Sequence, residues 1–266
     1  IVDKYHLSIE NHKELKRYCE KKGIDFNSTP FSNREVDLLV DELEVPFLKI
    51  ASMDLNNIPF LKYVAKKKKP IVISTGLCGL TEINNAVECL EQEGCREIVL
   101  LHCVSIYPPK EEEVNLNNID MLRETYGYPV GYSDHTIGIV APIMSIAKKV
   151  KIIEKHFTLD KNMVGWDHKI SADSSELKAI CDATSIGYKM LGNYRRRVYE
   201  TTERREAFQR SIVAAKEIKK GDIIQIEDLD YKRPGSGISP QYYEFVVGKT
   251  AKRDIGYDEI IQLQDF

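Results

Sequence analysis

No stretch of the 266 residues is apolar for long enough to cross a membrane, and the opening IVDKYHLSIENHKELKRY, charged throughout, does not read as a secretory signal. Charge of one sign is lacking too. Lys plus Arg is 38 and Asp plus Glu is 41, so a net charge of −3 makes no general case for nucleic acid or acidic membranes as partners. The one basic run, Lys66 to Lys69 before Pro70, reads as a solvated helix end. The six cysteines contain no C-x-x-C pair and several lie among apolar residues, which predicts reduced core thiols and a cytosolic protein. There is also no initiator Met. The sequence opens on what looks like the lead-in to a helix, so an upstream segment is expected.

What is present is ordinary globular composition, 42% hydrophobic and 30% charged, with a βα rhythm over its first 190 residues or so. Short apolar runs at 24–28, 47–52, 70–75, 97–103, 128–133 and 150–157 read as buried strands. Helical patterns near 10–22, 33–43, 57–67, 80–94, 115–126, 138–149 and 174–191 surround them, with starts read at Thr81–Glu82, Asn115 and Asp173–Ser174. Strand centres fall roughly 22 to 31 residues apart, the length of one βα unit, which predicts a parallel sheet. No glycine-rich phosphate loop follows the first strand, and polar residues gather at the C-terminal end of nearly every strand. A TIM-type (β/α)8 barrel is therefore predicted, with six of its eight units in view. The barrel domain is placed at 1–194, a charged linker or exposed helix at 195–210, and a small β-rich domain with frequent Gly and Pro at 211–266.

Several residues could carry chemistry. His135 (SDHT) and His156 (EKHF) end successive strands, where two imidazoles can hold a divalent ion with open positions, or can simply hydrogen-bond within a packed loop. Spacing does not choose between these. His6 and His12 precede the first strand without polar company and read as solvent-exposed. Ser52, Ser74, Thr75, Ser105 and Ser133 form a ring of hydroxyls suited to an oxyanion, although any one of them could cap a helix. Lys49 lies inside an apolar strand and favours contact with an anion over a structural ion pair. Asp54, Asp134, Glu154, Asp160 and Asp167 supply carboxylates for a polyol. Arg233, on KRPGSGISP, either clamps an anion or sugar or sits on a surface turn.

KIAS, STG, LLHCVSIYPP, GYSDHT, EKHFTLD, DHKIS and KRPGSGISP, in this order over nine tenths of the chain, resemble the sialic acid synthase family, which includes N-acetylneuraminate, legionaminate and pseudaminate synthases. DHKIS leans toward the neuraminate and legionaminate branches. The terminal domain resembles the antifreeze-like (SAF) domain of these enzymes. The resemblance implies that His135 and His156 ligate a divalent ion, Mn²⁺ first and Mg²⁺ or Co²⁺ as alternatives, and that both are catalytic together with Lys49 and Asp167. It further implies that Thr29, Lys49, Ser52, Ser74, Ser105, Tyr107 and Ser133 bind phosphoenolpyruvate. Asp54, Tyr107 and Asp167 would face the sugar, with Arg233 delivered by the other subunit of a domain-swapped homodimer.

The implied reaction joins phosphoenolpyruvate to the open-chain aldehyde of N-acetylmannosamine or a close N-acyl hexosamine, with C–O cleavage and phosphate release. Another nonulosonate acceptor, a phosphorylated acceptor, and a non-catalytic degenerate barrel that binds a sugar are the rivals. Ser105 stands where some relatives carry Asn. Family members also begin with two further strands, bearing Glu-Ile-Gly/Asn-His and Val-Lys-Phe-Gln segments that do not occur in this sequence. No Ser-His-Asp order or G-x-S-x-G elbow supports a hydrolase.

Overall fold

A computed structural model describes residues 6–165 and 167–266; residues 1–5, the predicted helix lead-in, and Trp166 of the GWDHKIS segment lie outside the described residues. The chain divides into two compact units, 1–193 and 194–266.

The first unit is built on five parallel strands in sequential order: β1 Leu48–Ile50, β2 Ile71–Ser74, β3 Ile98–Cys103, β4 Val130–Asp134 and β5 Ile153–Lys155. Each crossover is helical: α3 Ile58–Lys66, α4 Leu80–Gln92, α6 Asn118–Tyr126 and α7 Val140–Ala147. Before β1 come α1 Ile9–Lys22 and α2 Asn33–Asp37, the latter continued by a π-helical turn at Leu38–Glu42; α5 Glu111–Val114 precedes α6, and α8 Ser174–Leu191 closes the unit. Strands β1 and β2 are buried at every residue, including Lys49 and Ser74, as strands covered on both faces are. The core clusters Leu48, Ile50, Ile71, Ile73, Ile98 and Leu100 with Leu61 and Val64 of α3 and Ala86 and Leu90 of α4.

The sheet is curled into a half-barrel. In a flat sheet β1 and β5 would stand about 19 Å apart, four strand spacings. Yet Lys49 Nζ of β1 lies 3.6 Å from Glu154 Oε1 of β5, a gap that two side chains close only if the strands bend toward each other. Gly131, central in β4, permits one close approach: a Cβ there would meet Leu101 and lie 2.7 Å from the Ile152 carbonyl oxygen.

Three local expectations are corrected. The run at 24–28 joins no strand; a side-chain bond, Asn27 Nδ2 to Phe47 O at 3.1 Å, ties it to the residue just before β1. Asn115 does not start a helix but ends α5 in the left-handed region (φ 39°), a conformation its short amide tolerates. His12 is partly buried, with Nδ1 2.9 Å from Ser8 O and its ring edge-on to Phe26. Asp173 does cap α8, accepting from the backbone of Ser175 and Glu176.

The second unit carries α9 Thr202–Phe208, then an antiparallel pair, β6 Ser211–Ala214 with β7 Leu229–Lys232, and the short α10 Tyr243–Val246. Bridges Val213↔Ile260, Ile218↔Ile255 and Ile223↔Thr250 extend the pairing around a core of Ile212, Ile218, Ile224, Val246, Ile255 and Ile261. Ser211, fully buried, pins the KRPGSG loop by donating from Oγ to Pro234 O at 2.6 Å and accepting from Gly237 N at 2.8 Å.

Candidate active site

The C-terminal ends of the strands enclose a cavity of about 610 Å³, lined by Thr29, Lys49, Ser52, Ser74, Ser105, Tyr107, Ser133, His135 and His156 among others. Alternation along each strand explains why. Lys49 and Ser74 project from β1 and β2 and Ser133 from β4, while Ser52, Ser105, His135 and His156 lie just past strand ends, where the chain turns outward into the following loop.

Lys49 is one of two buried cations in the lining, the other being Lys155. The Lys49 ammonium donates to Ser74 Oγ at 2.7 Å and to Ile50 O at 3.1 Å. Burial pulls its pKa down, opposed mainly by the Glu154 charge. Ser52 Oγ accepts from Gly76 N at 2.9 Å, and a Cβ on Gly76 would run into Ser105 Oγ while meeting Ser52 Oγ at 3.0 Å and Cys103 Sγ at 3.2 Å. Glycine is therefore what lets these side chains converge.

The two histidines face each other with ring centroids 5.4 Å apart, and the Tyr107 ring lies 4.0 Å from His135 and 5.9 Å from His156. His135 Nδ1 donates to Val104 O at 2.8 Å, which leaves Nε2 as the nitrogen free to face a ligand; burial presses its pKa down, but Cys103 and the Val104 carbonyl outweigh it and raise the pKa on balance. Burial holds the His156 pKa down, countered by Asp167, whose carboxylate is 4.0 Å from Nδ1. A neutral imidazole with a carboxylate or carbonyl behind it is what a divalent ion requires of a histidine ligand. Among the described residues no group of three or more His, Cys, Asp or Glu side chains converges as a closed metal site. Two facing imidazoles would suit an open site, with positions left for other ligands.

Five predicted residues, Asp54, Thr75, Asp160, Asp167 and Arg233, lie outside the lining; Asp160 Oδ1 accepts from Asn162 N at 2.8 Å. Asp54 Oδ1 accepts from Asn57 Nδ2 at 3.4 Å, while Oδ2 is buried without a partner. Asp167 approaches only through His156. Arg233 belongs to the second unit, its guanidinium 5.9 Å from the Phe208 ring. Two polar residues at strand ends serve the scaffold: Thr75 Oγ1 donates to Leu101 O at 2.9 Å, and His102 Nε2 is 2.7 Å from Val114 O.

Asp134 and Glu154, read from the sequence as carboxylates for a polyol, do line the cavity; sequence reasoning missed Cys103 and Lys155 as lining residues. Cys103, read as a core thiol, lies 3.9 Å from both His135 Nδ1 and Ser105 Oγ. Period-two counting puts Glu154 on the same side as His156, two residues on, and it pairs with Ser133 across the sheet.

Comparison with known proteins agrees with this architecture. The NeuB family model matches residues 1–196 and the SAF domain model residues 209–266. A protein of Methanocaldococcus jannaschii is 46% identical over 97% of this chain and 77% of its own length. The N,N'-diacetyllegionaminic acid synthase of Campylobacter jejuni is 41% identical over 98% of this chain and 79% of its own. Among solved structures, the N-acetylneuraminic acid (sialic acid) synthetase of Leptospira borgpetersenii, crystallised with citrate, superposes with a TM-score of 0.69 at 35% identity, covering 74% of this chain and 68% of that one. With a half-barrel, a polar mouth and a small β unit in the matching order, the chain is an enzyme of the NeuB family of synthases, carrying a C-terminal SAF domain.

Proposed function

We propose that this enzyme condenses phosphoenolpyruvate with the open-chain aldehyde of N-acetylmannosamine or a close N-acyl hexosamine. The observation that carries the reading is one cavity holding a buried ammonium, a ring of hydroxyls and two facing imidazoles. Lys49 with Thr29, Ser52, Ser74, Ser105, Tyr107 and Ser133 would hold the phosphate and carboxylate, since fixed donors stabilise anionic charge better in a cavity than in water. Asp54, Tyr107 and Asp167 would take the sugar hydroxyls, and Arg233 would come from the partner subunit of a domain-swapped homodimer. Residues 195–210, which include α9, would link the catalytic unit to the SAF unit. His135 and His156 would hold a divalent ion, Mn²⁺ by preference, which when bound supplies Lewis-acid polarisation of a carbonyl.

The balance of bonds is simple. C3 of phosphoenolpyruvate bonds to C1 of the aldehyde, whose oxygen takes up a proton. Water oxygen adds at C2, and the C2–O bond to phosphate breaks, leaving a 2-keto acid and inorganic phosphate. Cationic character at C2 and the anionic leaving group both call for held charge rather than a nucleophilic serine. The six free cysteines suit the cytosol.

A second reading, favoured by the 41% identity to a legionaminic acid synthase, takes a different N-acyl hexosamine to a legionaminate-type product. The apolar side chains of Phe31, Met53 and Leu77, all exposed at the cavity, suit an acceptor carrying additional acyl or deoxy groups. Incubating the full chain with Mn²⁺, phosphoenolpyruvate and a panel of N-acyl hexosamines tests both readings. One acceptor should release stoichiometric phosphate and thereby identify the product; no release with any acceptor defeats both.

A further inference from the structure

The β4–β5 register runs as far as Asp134↔Lys155 and stops one residue short of both histidines. Past that point one side chain ties the two loops together. Lys155, immediately before His156, donates to Asp134 Oδ2 at 2.6 Å and to Thr136 O at 2.6 Å, the residues on either side of His135. The carboxylate is used on both oxygens, because Oδ1 accepts from Tyr132 Oη at 2.8 Å and from Thr136 N at 3.0 Å. The side chains of Lys155 and Asp134 are 3% and 0% exposed.

Stability alone accounts poorly for such a pair. Two charges withdrawn from water recover their desolvation cost only through near-ideal geometry, and an apolar pair of the same volume commonly serves a core equally well. What an apolar pair cannot do is fix a direction. Two hydrogen bonds that grip the flanks of His135 from the residue beside His156 leave the loops little freedom to slide or splay.

We propose that Lys155 and Asp134 are positioning residues that set the separation of His135 and His156, and with it the affinity of the site for a divalent ion. This rests on the reading of the two histidines as metal ligands. Outer partners of metal-binding histidines commonly govern affinity by about 10- to 100-fold without touching the ion.

The test is Mn²⁺ binding to the metal-free full chain, followed by the electron paramagnetic resonance signal of free Mn²⁺ well below the melting temperature. Lys155→Met should weaken binding by about 10- to 100-fold, and Lys155→Arg, which keeps a donor able to reach both oxygens, should restore most of it. Should Lys155→Met fail to fold, Lys155→Met combined with Asp134→Asn removes both charges, leaves no unpaired buried ion, and should show the same weakening. His156→Ala is the reference for loss of the site. Unaltered affinity in a folded Lys155→Met or double variant, beside lost binding in His156→Ala, overturns the positioning role and leaves the metal reading standing. Failure of the unmodified chain to bind Mn²⁺ overturns the metal reading, and the positioning role with it.

Discussion

Lys49 Nζ donates to Ser74 Oγ at 2.7 Å across adjacent strands, while the nearest carboxylate, Glu154, stands 3.6 Å away at the opposite end of the sheet order. The ammonium is thus held by two neutral acceptors, this hydroxyl and the Ile50 carbonyl at 3.1 Å, and faced by an acid at a distance longer than a hydrogen bond, so its charge is incompletely answered within the chain.

An incompletely answered buried cation should act on ligand affinity more than on stability. Lys49→Met is expected to raise the KM for phosphoenolpyruvate by about 10- to 100-fold, the loss of one or two charge-assisted hydrogen bonds. Its melting temperature should hold or rise, because burial already disfavours the ammonium. Steady-state kinetics beside a thermal melt separate the two effects, and a variant that loses stability with no change in KM would contradict the reading.

Gly76 makes the converse case. A methyl group there would displace Ser105 Oγ, the end of a mobile side chain, so Gly76→Ala should fold with a loss of only about 1 kcal/mol. Substrate binding should suffer more, because the hydroxyl is turned out of the cavity. Urea unfolding and phosphoenolpyruvate titration of the same preparation check both halves.

Gly131→Ala should behave oppositely. Its methyl group would press on Leu101 and on the Ile152 carbonyl, a backbone atom that also accepts the Tyr132 N–H at 2.9 Å and cannot swing aside. We expect a loss of about 1–3 kcal/mol in urea unfolding, the usual range for overpacking.

His102 should make the fold acid-sensitive. Burial lowers its pKa, with the Val114 carbonyl opposing, so the unfolded chain binds this proton more readily than the native one. The sign follows: stability is intact above the unfolded value of about 6.5 and falls as pH drops below it, by at most about 1.4 kcal/mol per pH unit. His102→Asn should be less stable at neutral pH, having lost ring packing against Tyr132, but its urea midpoint should decline less between pH 7.5 and 5.5. Parallel curves for the two proteins would refute this.

The sequence determined the alternation of strand and helix and the polar character of nearly every strand end. These follow from local pattern, since apolar run length, cap residues and Gly–Pro punctuation act within a few residues. Ordered motifs then identified the family. Only the tertiary structure decided that the run at 24–28 stays unpaired, and that His102 and Thr75 turn to the scaffold while Cys103 and Glu154 face the cavity. It also decided that Lys155 reaches across to both flanks of His135. Such outcomes depend on strand register and sheet curl, which bring together residues that a single stretch of sequence keeps about 20 to 100 positions apart.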